Sequence, residues 1–360
     1  MKNKNKLSLI IMLLLAMLLA ACGGTGDDEA MEDDTTDTAD STDMAEEDSE
    51  DMADMPADTE IVMAKATWDT GFFQAEIYKT LLADLGYEVE DLGTIDNAAF
   101  YTSAAQGDVD FWANGWFPLH DTYLEDDLVS GKAEPVGFQV EAGALQGYLI
   151  DKASADALGI TSLTDMADPE IAANFDSDGD GKADLIGCDA GWGCELVIED
   201  TLDELDLRDT VTHQQGTYSA LMADTIGRYQ RGEPIFFYTW TPNWTVSQLQ
   251  LGEDVVWIEA PIEGAAPASG VQGCAVDPCV MGFDANDIRA VANTEFLQSH
   301  PDVRTLFEMV EIPLSDIAAQ NQKMVDGEDS DEDIARHAAE WIEANQDQVD
   351  GWLEAALAAR

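Results

Sequence analysis

Basic side chains are scarce in this chain: 16 Lys and Arg stand against 74 Asp and Glu, a formal charge of −58 over 360 residues. That balance excludes nucleic acid as a partner, because phosphate binding needs clustered cations. Cysteine is sparse too. Five are present, and the four beyond Cys22 fall into two close pairs, Cys188 with Cys194 and Cys274 with Cys279. Neither spacing is CxxC and no histidines stand nearby in zinc-finger order, which argues against zinc. The pairs suggest local disulfides and an oxidising compartment instead. Past residue 22 no apolar run approaches membrane-spanning length. A GxSxG elbow, a P-loop and an HExxH helix are all missing, so hydrolysis would have to rest on paired carboxylates alone.

The first 22 residues read as a targeting segment. Lys2, Lys4 and Lys6 precede an apolar run from Leu7 to Leu19, and small residues lead to Cys22. The ending Leu19-Ala20-Ala21-Cys22 resembles a bacterial lipobox, which implies cleavage before Cys22 and a lipid on its sulfur. An ordinary signal peptide with a chance cysteine is the alternative. Residues 23–60 carry 17 acids, no Lys or Arg and no aromatic residue. Such a segment cannot offset its ordering entropy and is expected to be a disordered tether.

The body, residues 61–360, holds 57 acidic and 13 basic side chains, a net of −44, and is long enough for two domains. Apolar periodicity predicts a strand over Glu60 to Trp68, a helix over Gln74 to Leu85 closed by Gly86, and a strand over Glu88 to Thr94. A helix over Asn97 to Gln106 and a strand from Val109 to Trp116 follow, with Pro118 placed to start a helix. This β-α-β-α-β order implies an α/β fold, a mostly parallel sheet with helices on both faces and ligands beyond the strands' carboxyl ends. Gln146 to Asp151 reads as an extended crossing into a second unit. That unit has a helix from about Leu196, a strand over Thr210 to Gln214, a helix over Tyr218 to Arg231 and a strand over Pro234 to Trp240. Asp254 to Ile258 reads as the return crossing, Asp287 to Ala292 as a strand, and the remainder as helical.

The stretch GCDAGWGCE, residues 187–195, sets Trp192 just before a helix start. Free N–H groups at such a start attract a carboxylate, and an indole face attracts a cation. A small zwitterion suits both. Together with GWFPLHD (115–121), ALQGYLID (144–151), DGDGKADL (178–185), TVTHQQGTYSALMADTIGRY (210–229) and FFYTWTPNW (236–244), this stretch resembles the glycine betaine-binding proteins of ProU-type ABC importers. The resemblance covers almost all of residues 61–360.

It implies a two-lobed periplasmic-binding-protein fold, type II-like, with residues 61–145 and 259–360 in lobe I and 146–258 in lobe II. It implies a quaternary ammonium boxed by Trp116, Trp192 and Trp240. The ligand carboxylate would be received by His120 and by the N–H groups of Gly193 and Cys194, with Cys188–Cys194 as a brace. It also implies no enzymatic activity, delivery of glycine betaine or proline betaine to a membrane permease and its ATPase for osmoprotection, an extracytoplasmic location and a monomer. A sensor lipoprotein for quaternary ammonium compounds is the alternative reading, with a hydrolase behind it.

Five features depart from that pattern or stand beside it. Trp112 precedes Trp116 by four residues where the family has a small one, so it either enlarges the aromatic wall or narrows the pocket. Tyr148 belongs to the hinge or to the pocket, Trp244 is expected to pack behind the site, and the loop from Glu263 to Cys279 is irregular. The segment DSDGDGKAD places Asp176, Asp178, Asp180, Lys182 and Asp184 at alternate positions with Gly181 at the turn, much of an EF-hand loop. The twelfth position is Gly187, so the bidentate Glu is missing, and structural calcium competes with a solvated acidic turn.

Overall fold

The computed structural model describes residues Thr59–Arg360. The expected signal peptide, the lipidation site Cys22 and all but the last two residues of the expected tether lie outside them. In the first unit, β1 (Glu60–Lys65), β2 (Glu88–Thr94) and β3 (Phe111–Phe117) run parallel in the order β2-β1-β3. They are joined by α1 (Phe72–Asp84) and α2 (Asn97–Gln106). Gly86, at φ 91°, stops the first helix, and Asp96 caps the second by accepting the Ala99 N–H at 3.1 Å.

Two expectations shift here. β1 ends at Lys65, and Trp68 leaves the sheet to precede a short 3-10 turn at Asp69–Gly71. Pro118 does not begin a helix. It follows a cis bond in a turn whose His120 N–H donates to Trp116 O at 2.7 Å, and α3 (Asp121–Leu124) starts only afterwards.

The largest difference is β4, which spans Ala133–Asp151 and so begins well before the expected Gln146. Pro135, Gly137 and Gly143 disguise it in the sequence. The strand absorbs them as irregularities, with Gly137 at φ 66°, Ala142 at φ 46° and register shifts against its neighbour. Its first part, to Ala144, pairs antiparallel with β11 (Asn286–Asn293), and from Leu145 it pairs with β7 (Phe236–Thr241) and β8 (Val255–Ile258). One strand therefore belongs to both halves of the sheet. The parallel arrangement read from the sequence holds for β1–β3 and for β5 (Ala183–Ile186), β6 (Val211–Gln214) and β7, while the strands joining these sets are antiparallel. Between β4 and β5 come α4 (Lys152–Leu158) and α5 (Pro169–Ala172).

The second unit is completed by α6 (Gly193–Glu204), α7 (Tyr218–Gln230) and α8 (Thr245–Gln248). A two-stranded ribbon, β9 (Pro267–Ala268) with β10 (Cys279–Val280), orders part of the irregular loop. Both expected disulfides, Cys188–Cys194 and Cys274–Cys279, are formed. The C-terminal helices α9 (Thr294–Ser299), α10 (Pro301–Met309), α11 (Leu314–Val325), α12 (Asp331–Ala344) and α13 (Gln346–Leu357) return to the first unit. There α12 packs on α1, through Trp341 against Phe73, and α10 packs on β4 and α13. Among the described residues no helix is long and apolar enough to cross a membrane.

Candidate functional site

Four tryptophans stand where chain segments leave the sheet or enter a helix: Trp68 after β1, Trp116 near the end of β3, Trp192 before α6 and Trp240 in the last part of β7. All are at most 6% exposed, yet all line one cavity together with Leu119, His120, Gln146, Gly193, Cys194 and Tyr238. None of these lining residues is Asp, Glu, Lys or Arg. In a body of net charge −44, the site is an apolar, uncharged box.

The rings are set nearly at right angles. Trp68 and Trp192 have centroids 5.5 Å apart at 79°, and Trp192 and Trp240 5.6 Å apart at 74°. Tyr218 backs the second pair at 4.6 Å from Trp240, and its own N–H donates to Asp189 Oδ1 at 2.7 Å. That bond ties α7 to the cysteine-bridged loop. Three indoles of the second unit donate to the loop after β1: Trp192 Nε1 to Thr67 Oγ1 at 2.7 Å, Trp240 Nε1 to Thr70 Oγ1 at 3.2 Å and Trp244 Nε1 to Asp69 Oδ1 at 3.4 Å. Ring orientation and the approach of the two units are thus one geometric condition. Asp69 lies in this contact, and burial raises its carboxyl above the usual range.

The polar end of the box is built from a helix start and a neutral imidazole. Helix α6 begins at Gly193, directly after an extended Trp192, so the first N–H groups, those of Gly193 and Cys194, lack partners within the helix. The helix was expected to begin nearer Leu196. The earlier start is what brings both N–H groups to the cavity. Gly193 has a steric reason to be glycine: an added Cβ would come 2.8 Å from Leu119 Cγ and 3.4 Å from His120 Cδ2 across the cleft. Gly187 has another, since a Cβ there would strike His213 Nε2 at 1.8 Å.

His120 is 2% exposed, with Nδ1 3.1 Å from Tyr101 Oη and accepting the Trp116 N–H at 3.3 Å, and Nε2 3.3 Å from Asn97 Nδ2. Burial pushes its pKa down to about 3, so at neutral pH it offers an N–H without a charge. Such an uncharged set can hold a cation by ring faces and a carboxylate by N–H donors.

The cavity therefore gathers Trp116, His120, Trp192, Gly193, Cys194 and Trp240, all expected from the sequence. It does not gather Trp112 or Tyr148. Even spacing leads one to expect Trp112 on the face of β3 that carries Trp116, but the register against β11 shifts between Trp112 and Gly115, which breaks the simple alternation. Trp112 is fully buried and stacks on Phe100 with centroids 4.0 Å apart. Tyr148 is fully buried against Phe283 at 5.8 Å. Four lining groups escaped the sequence reading, Leu119 among them as an unremarked part of GWFPLHD. Trp68 was assigned to a strand, Gln146 was read only as part of a crossing, and Tyr238 as part of an aromatic strand. Gln146 is 2% exposed, its Oε1 accepts from Tyr238 Oη at 2.5 Å, and its Nε2 has no partner.

In the acidic loop, carboxylate oxygens of Asp176, Asp178 and Asp184 lie within 4.8 Å of one another. Asp180 and Lys182 are not part of that group: Asp180 Oδ1 accepts the Lys182 N–H at 2.9 Å, and Lys182 Nζ donates to Arg208 O at 2.6 Å. Asp184 is 2% exposed and already accepts from Ser177 and Gln214.

Residues 59–344 match the family described as the substrate binding domain of ABC-type glycine betaine transport systems. The chain is 43% identical over 288 residues to the glycine betaine/proline betaine-binding periplasmic protein of Escherichia coli strain K12, covering 80% of this chain and 87% of that one. It is 44% identical over 288 residues to the glycine betaine-binding periplasmic protein OusX of Dickeya dadantii, covering 80% and 86%. Among solved structures, lactococcal OpuAC in its closed-liganded conformation with glycine betaine superposes with a TM-score of 0.63 at 18% identity, over 82% of this chain and all (100%) of that one. The glycine betaine, L-proline-binding protein of Borrelia burgdorferi gives 0.63 at 19% identity, over 81% and 96%. At those identities the likeness is one of fold, the two-lobed binding-protein architecture.

Proposed function

The chain belongs to the family of substrate-binding domains of ABC-type glycine betaine transport systems, and from that premise we propose that its tryptophan box captures glycine betaine or proline betaine for delivery to a membrane permease and its ATPase. The family consists of substrate-binding proteins and not enzymes. The observation that carries the ligand class is a cavity lined by four indoles whose lining holds no charged side chain.

A trimethylammonium group has no N–H to donate, so ring faces are the receptor that can select it. Trp116, Trp192 and Trp240 supply about 2 kcal/mol each when desolvated. Donors to the carboxylate from Gly193 N–H, Cys194 N–H and His120 supply about 1.5–3 kcal/mol each. The sum exceeds the roughly 8 kcal/mol of a micromolar complex and leaves a surplus for closure. No anionic partner for the ammonium is required. The unpaired Gln146 Nε2 is a further donor for the ligand's carboxylate.

The change of partner along β4 between Ala144 and Leu145 supports the lobe division at 145/146, with the return near 258/259. The protein works as a monomer held at a bacterial membrane by lipid on Cys22, a reading supported by the lipobox-like sequence. For the acidic loop, the convergence of Asp176, Asp178 and Asp184 supports a structural calcium ion, with no role in ligand capture; a melting temperature unmoved by calcium after chelation would refute it.

Calorimetry with glycine betaine, proline betaine, choline, carnitine and proline tests the main reading. Betaines are expected to bind, Trp192→Ala to abolish binding, and His120→Ala to weaken glycine betaine far more than choline, which has no carboxylate. Equal losses for both ligands would overturn the role given to His120.

A further inference from the structure

Trp68 belongs neither to the three-tryptophan box nor to the strand in which the sequence placed it, yet it lines the same cavity. Its mounting is specific. Trp68 Nε1 donates to Asn114 Oδ1 at 2.6 Å, and Trp116 Nε1 donates to the same oxygen at 2.8 Å. Asn114 is 3% exposed, and its Nδ2 has no partner. An unmade buried donor is costly, so this side chain is not there for its own hydrogen bonding alone; what it achieves is to lock two indoles relative to each other. Gly71 holds Asn114 from behind, since a Cβ there would lie 3.1 Å from Asn114 Cγ. On the cavity side, Trp68 stands at 79° to Trp192. The walls therefore run from Trp116 through the shared Asn114 to Trp68, and on through Trp192 to Trp240.

Resting on the reading that this box takes a quaternary ammonium, we infer that Trp68 is a fourth, specificity-determining wall positioned by Asn114, which fits the box to a trimethylammonium and shuts out larger ammonium groups. A ring at this corner adds one face to the cation's surroundings and removes the space that longer N-alkyl arms would need. Asn114 acts through the two indoles and is a positioning residue.

The test is calorimetry of the full chain with glycine betaine and with its analogue carrying three N-ethyl groups. Trp68→Ala is expected to lower glycine betaine affinity about 10- to 30-fold, the size of one cation–π contact, and to raise that of the triethyl analogue. Trp68→Phe is expected to keep the preference for the smaller ligand. Should the alanine variant fail to fold, Trp68→Leu preserves apolar bulk and is still expected to lose about tenfold on glycine betaine, with Asn114→Leu losing part of the same selectivity. Parallel losses for both ligands, or no loss, would overturn the inference, because a merely structural tryptophan would not change their ratio. If Trp192→Ala abolishes binding while Trp68→Ala leaves affinity and selectivity intact, the fourth wall fails alone. A wild-type protein that binds no betaine sinks the underlying reading as well.

Discussion

Replacing Thr67 with valine removes one hydrogen-bond acceptor and almost no volume, and it does so at the contact between lobes. In this structure Trp192 Nε1 donates to Thr67 Oγ1 at 2.7 Å while the tryptophan is 6% exposed. With valine there, the indole N–H is left unpaired on closure, whereas in an opened protein water satisfies it. A buried donor left unmade costs about 1–3 kcal/mol. Thr67 is itself only half-buried, which sets the expectation near the lower end, about 1–1.5 kcal/mol, or roughly 5- to 12-fold in Kd. The cost falls on closure, so the ligand-free melting temperature should hardly move while the affinity for glycine betaine drops. Isothermal calorimetry and thermal melts on the same preparation check both. Unchanged affinity would refute the coupling between ring orientation and closure, and an equal loss of ligand-free stability would show that Thr67 serves the fold instead.

Three other expectations follow from the same geometry. Gly193→Val should hold the lobes apart against Leu119 and His120, lowering betaine affinity at least about tenfold and abolishing a ligand-dependent compaction that is expected in X-ray scattering of the unsubstituted protein. The imidazole of His120, at about 3 in the folded protein against about 6.5 unfolded, takes a proton in the unfolded chain first. Stability is therefore expected to fall as pH drops from about 6.5 towards 3, by up to about 1.4 kcal/mol per pH unit, and His120→Gln should flatten that slope in denaturant titrations. The raised carboxyls of Asp69 and Asp189 act with the opposite sign, so the difference between variant and wild type is the informative quantity. Gly187→Ala should destabilise the fold itself through His213, visible as a lower melting temperature without ligand.

Much of this arrangement was legible along the chain because local chemistry specified it. Apolar periodicity located β2 and α2 to the residue, Gly86 ended a helix, and close spacing paired the cysteines. Trp192 before Gly193-Cys194 announced a ring beside a helix start. Where the sequence misled, a tertiary contact outweighed a local signal. Pro135, Gly137 and Gly143 argued against a strand, but that part of β4 is held by long-range pairing with β11 that tolerates its bulges. Pro118 looked like a helix start, but the chain instead wraps so that the imidazole of His120 returns to the Trp116 N–H.

Read along the chain alone, the residue types of the site were already visible: tryptophans at segment ends and a helix start beside one of them. Which indoles line the cavity depended on packing between distant segments. Trp112 and Trp116 stand four residues apart on β3 across a register shift, and Phe100 of α2 covers the first while the second lines the cavity. Trp68 is 48 residues from Trp116 in the sequence, and the two are joined through Asn114 because β1 and β3 are neighbours in the sheet. Side-chain periodicity says which face a residue shares; what lies on that face depends on how distant segments pack.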